Sequence, residues 1–114
     1  MKPRLPSVNM LIQKDLSAII RRVLELPPAS LVTITKVRSA ANLQSAKVFV
    51  SIMPDSEARP IMDYLAKNRF ILQQELFKNL KTKFSPKIEF VYDEIEARAN
   101  KIERILDGLQ NSND

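Results

Sequence analysis

Lysine, arginine, aspartate and glutamate supply most of the reactive side chains of this chain, which has no cysteine and no histidine. Disulfides, thiolate chemistry, His or Cys zinc sites and Ser-His or Cys-His nucleophilic pairs are therefore excluded. Asp93, Glu94 and Glu96 crowd together, but carboxylates at the start of a predicted helix are what the helix dipole favours. No catalytic residue, metal ligand or cofactor is assigned to them. The cations form a clearer pattern. Six of the seven charged residues in 67–87 are basic: Lys67, Arg69, Lys78, Lys81, Lys83 and Lys87, against Glu75. Their chemistry is the neutralisation of a polyanion, and phosphate charge governs most of the affinity in such binding.

The wider balance agrees. Residues 1–87 carry 15 Lys/Arg against 6 Asp/Glu, whereas residues 88–114 carry 3 against 7. A basic body with an acidic C-terminal segment points to a nucleic-acid partner, or to a solvated basic surface with no specific partner. Lys36, Arg38 and Lys47 lie on or beside a predicted strand pair. They either join the same basic field or protect a strand edge. With 114 residues and 45% apolar composition, one domain over 1–110 with a polar tail at 111–114 is expected. No apolar run approaches the roughly 20 residues that span a bilayer. The N-terminus has no continuous apolar stretch of the secretory type, so a soluble cytoplasmic protein is expected.

The elements that position these cations follow from periodicity. Val8, Leu11, Ile12, Leu16, Ile19, Ile20, Val23 and Leu24 recur at helical spacing, with Ser7 as N-cap and Pro27-Pro28 as the stop. LVTITKV (31–37) reads as a strand whose alternation fails late. Val32 and Ile34 share a face, and a bulge near Thr35-Lys36 returns Val37 to it. AKVFVSI (46–52) puts Ala46, Val48, Val50 and Ile52 on one side, and Lys47, Phe49 and Ser51 on the other. An antiparallel pair is expected, with Phe49 covered by helices in the core. Pro54-Asp55-Ser56 is a turn. A short helix with Ala58, Ile61, Met62 and Leu65 then meets a second with Leu72, Leu76 and Leu80. The stripes do not line up, which places a kink at Asn68-Arg69-Phe70; asparagine tolerates the left-handed conformation. KIEFVY (87–92) is a third strand, and Ile95, Ala99, Ile102, Ile105, Leu106 and Leu109 make a last helix ending at Gly108. The fold class is α+β: αββααβ, a three-stranded sheet packed on helices, plus a C-terminal helix.

That order is the order of a type II KH domain, and the residues resemble the ribosome-binding factor A family. The family's V-T-I-x-x-V strand appears as Val32-Thr33-Ile34 with Val37. Its D-L-x-x-A-K-V-x-V-S element appears as Asn42-Leu43, Ala46-Lys47-Val48 and Val50-Ser51, and its P-x-x-x-F-x-x-D as Pro86, Phe90 and Asp93. The resemblance covers about residues 4–107. It implies a non-enzymatic factor that binds the maturing small ribosomal subunit and its RNA, assists 5′-end processing and matters most in the cold. It also implies no small-molecule substrate and no membrane; a monomer is expected. The family's kink glycine is Phe70 here, its usual arginine is Gln73, the Asp of its D-L pair is Asn42, and a serine after the strand-ending Asp is Ile95.

The RNA-binding candidates are thus Lys67, Arg69, Lys78, Lys81, Lys83, Lys36, Arg38 and Lys47. Phe70 is expected to pack inward, because a ring at the kink hinders close backbone approach to a phosphate. A different class of function is a protein-interaction module, in which the acidic, striped C-terminal helix docks a basic partner.

Overall fold

The computed structural model describes residues 5–80 and 86–111. Its elements are α1 (Leu5–Val23), β1 (Leu31–Ser39), β2 (Ser45–Met53), a 3-10 turn at Asp55–Glu57, α2 (Ala58–Lys67), α3 (Arg69–Leu80), β3 (Lys87–Tyr92) and α4 (Glu94–Asn111). This is the order expected. The sheet order is β1-β2-β3, with β1 antiparallel and β3 parallel to β2. Among the described residues no helix is long and apolar enough to cross a membrane.

The core forms because each element turns its apolar positions to one side. Ile12, Leu16, Ile19 and Ile20 of α1 meet Ile34 and Val37 of β1, and Ala46, Val48, Val50 and Ile52 of β2. Ile61 and Leu65 of α2, Leu72, Leu76 and Leu80 of α3, and Ile88 of β3 complete the cluster. Burying each large aliphatic side chain contributes about 1.5–3 kcal/mol. α1 starts at Leu5, so Ser7 lies inside the helix and is not its cap. It ends at Val23, with Leu24 N–H on the Ile20 carbonyl at 3.0 Å, before the prolines are reached. α4 runs through Gly108 to Asn111. A lone glycine costs a helix only about 1 kcal/mol and does not by itself end one.

The expected bulge is present. Ile34 pairs with Val50 and Lys36 with Phe49, which leaves Thr35 as the extra residue. The slip returns Val37 to the core, where it is 5% exposed. Thr35 Oγ1 donates to Asp93 Oδ2 at 2.6 Å and lies 3.3 Å from the Phe49 carbonyl. Asp93 N–H in turn donates to the Val50 carbonyl at 2.8 Å, extending the β2–β3 ladder by one bond. The other carboxylate oxygen, Oδ1, accepts from Glu96 N–H at 3.0 Å and so caps α4. The Thr35 hydroxyl and then the Glu96 N–H hold the Asp93 carboxyl below its ordinary value. Burial opposes them, and Lys36 adds a smaller lowering.

Both outer strands are tied to helices by side-chain amides. Gln13 Nε2 donates to the Ile34 carbonyl at 2.8 Å, and Asn9 Oδ1 accepts from Ser39 N–H at 3.1 Å and Ser39 Oγ at 2.6 Å. On β3, Gln73 donates to the Pro86 carbonyl at 2.6 Å and accepts from Ile88 N–H at 2.7 Å. One amide thus satisfies two backbone groups of an edge strand, which blocks pairing there with a further strand.

The β1–β2 loop holds the chain's only positive-φ residue among those described, Leu43 at φ 58°. Asn42 Oδ1 accepts from Gln44 N–H at 3.0 Å, an Asx turn, while Leu43 is buried.

These joints set measurable stabilities. Asp93→Ala lowers the unfolding free energy by about 2 kcal/mol, since it removes a cap and a charged hydrogen bond. An Asp with a depressed folded pKa stabilises the fold above its unfolded pKa of about 3.9, and that share is lost as pH falls through the folded value. Urea titrations of the wild type and Asp93→Asn should therefore converge as pH drops below about 4. Gln73→Ala strands two backbone groups beside buried Ile88 and costs about 2 kcal/mol. In hydrogen exchange, the Ile88 amide should be the first of β3 to lose protection.

Candidate nucleic-acid interface

The break between α2 and α3 is a single residue. Asn68 sits at φ −99°, ψ 10°, the bridge region rather than the left-handed one that asparagine tolerates. Its N–H donates to the Tyr64 carbonyl at 3.1 Å, its Nδ2 to the same carbonyl at 2.9 Å, and its own carbonyl accepts from Leu72 N–H at 3.1 Å. The hydrogen-bonded path thus runs through the one-residue break between the two helices. Leu65 and Leu72, seven residues apart and so on one side of a helix, are both buried.

The hinge also aims Arg69. Its guanidinium lies half-buried against β3, with Nη1 3.5 Å from the Ile88 carbonyl. Arg69, Lys47 and Lys87 line one cleft of about 380 Å³, together with Ser45, Ala46, Ile88 and Glu89. The parallel register brings the starts of β2 and β3 side by side, Ser45 opposite Lys87 and Lys47 opposite Glu89. Three cations and one carboxylate therefore surround a space open to solvent. Such an arrangement favours a phosphate oxygen, to which arginine offers a fork and lysine a point charge.

The other candidates fall elsewhere. Lys36 and Arg38 stand on the outer sheet face over the Phe49 ring, 4.6 and 6.0 Å from its centroid. Phe49 is half-exposed and lies outside the core, which corrects the expectation that helices cover it. β2 turns it to the side opposite Val48 and Val50, where cation–π contact takes the place of burial. Lys67 is exposed in the last turn of α2 and does not line the cleft. Lys78 shares Glu75 with Arg22, at 3.4 and 3.2 Å. Both pairs are exposed and hold their cations weakly. Lys81 and Lys83 lie outside the described residues.

Phe70 points out, not in: it is 69% exposed, the reverse of the inward packing expected. The cause is helical phase. Leu72, Leu76 and Leu80 define the buried side of α3, and Phe70 lies on the opposite side with Phe77, which is 53% exposed. Two participants do not stand out in the sequence. Lys87 belongs to the basic run, but only the parallel β2–β3 register brings it to Lys47. Gln73 is committed to the β3 backbone.

The profile of the family described as ribosome-binding factor A matches residues 4–106. The ribosome-binding factor A of Chlorobaculum tepidum is 33% identical, over an alignment spanning 100% of this chain and 97% of that protein. The crystal structure of ribosome-binding factor A from Thermus thermophilus superimposes with a TM-score of 0.68 at 17% identity, covering 79% of this chain and 97% of that one. A model of the Thermus thermophilus factor, fitted into a cryo-electron-microscopy map of its complex with the 30S subunit, gives a TM-score of 0.63 at 22% identity. It covers 80% of this chain and 93% of that one. With an αββααβα order, a bulged β1 carrying the V-T-I-x-x-V residues and a profile match over nearly its whole length, the chain belongs to the ribosome-binding factor A family.

Proposed function

We propose that this protein is a non-catalytic assembly factor of the small ribosomal subunit, a soluble cytoplasmic monomer that holds small-subunit ribosomal RNA by its phosphates. The observation that carries this reading is the cleft in which Lys47, Arg69 and Lys87 converge beside the α2–α3 hinge. A KH-like domain meets nucleic acid near the junction of two helices. Here the phosphate contacts come from side chains at that junction and not from a glycine loop. Lys67 at the hinge and Lys36 and Arg38 on the sheet widen the positive field. The family's association with the 30S subunit, as in the fitted Thermus thermophilus complex, supplies the partner. Holding an RNA conformation until the subunit matures, and thereby favouring 5′-end processing in the cold, is the role this chemistry serves. It needs no cofactor and no small-molecule substrate.

Salt dependence tests this directly. Binding to purified small-subunit RNA should weaken steeply as salt rises, by about 0.7–0.9 in log–log slope for each phosphate neutralised. The triple variant Lys47→Ala, Arg69→Gln, Lys87→Ala should flatten that slope by about 2 and weaken binding at least tenfold near 0.1 M salt. An unchanged slope overturns the assignment of the cleft.

One observation favours a second reading, the protein-docking module. Ile95, Ile102, Ile105 and Leu106 of α4 are all exposed, in the segment where acidic residues outnumber basic ones 7 to 3. Under that reading the occupant is a basic protein. The double variant Ile102→Glu, Leu106→Glu separates the two. Unchanged association with small-subunit particles supports RNA alone. Lost association with intact binding to naked RNA supports the docked protein.

A further inference from the structure

We propose that the outer face of α3 is a stacking platform for unpaired RNA bases, formed by Phe70 and Phe77 with Gln74 between them and Lys78 alongside. The proposal rests on the RNA-binding reading above and adds which conformation of RNA the protein selects. It starts from an anomaly of sequence pattern. A surface helix ordinarily carries one apolar stripe and an opposite polar face. α3 buries Leu72, Leu76 and Leu80, yet its solvent side also carries two phenylalanines, 69% and 53% exposed.

Their spacing is ordered. Seven residues are two helical turns, so the rings stand on one line of the helix about 10 Å apart. Gln74 lies on the same side, and Lys78 follows one turn beyond it. Gln73, Gln74, Phe77 and Lys78 line a groove of about 520 Å³. Gln73 spends its amide on the β3 backbone, which leaves Gln74 to meet a base edge. Arg69 of the cleft is one turn before Gln73 of the groove, so α3 contributes side chains to both.

Aromatic faces interleaved with cations are the chemistry by which single strands are held. Paired bases present no free face, and the major groove of an A-form duplex is too narrow for such side chains. A separation of about 10 Å exceeds the roughly 3.4 Å rise between stacked bases, so the rings suit splayed bases of a loop or a single-stranded end. The net positive charge of the chain favours a polyanion over a second copy as the occupant. Area argues against a stable protein interface: two aromatic side chains offer about 150–250 Å² each even in full, against about 800 Å² per partner.

The test uses the full chain with an unpaired RNA oligonucleotide carrying 2-aminopurine, and a duplex RNA of the same length. Phe70→Ala and Phe77→Ala should each weaken binding to the unpaired RNA by about tenfold. They should leave duplex binding and the salt slope unchanged, and should abolish the fluorescence quench that stacking causes. Phe70→Tyr and Phe77→Tyr should retain wild-type behaviour, and circular dichroism should report the same fold for all four. If the alanine variants bind unpaired RNA normally while the cleft triple variant loses its slope, the platform is overturned and the RNA reading stands. If neither set changes binding, both fall. Equal losses on unpaired and duplex RNA overturn stacking. Intact RNA binding with lost capture of a subunit protein overturns the RNA occupant in favour of a protein one.

Discussion

The single extra residue in β1 sets the two faces of the sheet. Side chains alternate along a strand, so a slip of one residue exchanges the buried and exposed sets. Without the bulge, the register that buries Ile34 would turn Val37 to solvent and carry Lys36 and Arg38 toward the hydrophobic side. Burying two unpaired cations costs far more than a methylene-sized packing gain returns. Thr35 absorbs the slip, and its hydroxyl gives the bulge a second use as the anchor of Asp93. That carboxylate continues the ladder through its N–H, caps α4 through Oδ1 and accepts Thr35 through Oδ2. One residue too many in the first strand thus fixes which way the cations face and where the last helix begins.

A second economy concerns the edges. Both outer strands are closed by neutral amides, Asn9 and Gln13 on β1 and Gln73 on β3. Neutral closure has an electrostatic consequence. Lysine is a common guard of exposed edges, but with an amide in that role on β3, Lys87 lines the cleft beside Lys47 of the central strand. Gln73 shows the exchange most plainly. An arginine at this position would add a charge beside Arg69, whereas the amide adds a donor and an acceptor and satisfies both Pro86 and Ile88. A guanidinium has no acceptor to offer the Ile88 N–H.

What was legible in the sequence was what short-range pattern encodes. The late failure of alternation at Val37 located the bulge, and the mismatch between Leu65 and the Leu72-Leu76-Leu80 stripe located the hinge. What was not legible depended on partners far along the chain. Thr35 and Asp93 are 58 residues apart, and neither residue announces the other. Lys87 gained its meaning only from the parallel pairing of β2 and β3. Other misreadings took a local preference for a local decision. Ser7 and Gly108 suit helix ends, but both lie inside their helices. In the β1–β2 loop the Asn42 side chain makes the turn, while the positive φ falls on buried Leu43.

The hinge requires no glycine. A glycine is needed where φ is positive or where a backbone must be approached closely. Neither Asn68 nor Phe70 has positive φ, and the turn is bridged by the Tyr64 and Leu72 hydrogen bonds. Position 70 is therefore free of conformational demand, and helical phase alone decides where its side chain goes. Phase sends it outward, where a ring gains nothing from the core and adds apolar surface exposed to water. Folding stability gives no reason for that ring, and the same holds for Phe77 two turns on. Their justification lies in what they meet. Under the proposed RNA reading, a helix with Arg69 against β3 and two rings along its outer side would recognise its partner through side chains. The proposed contacts with phosphates and with bases are two parts of that recognition.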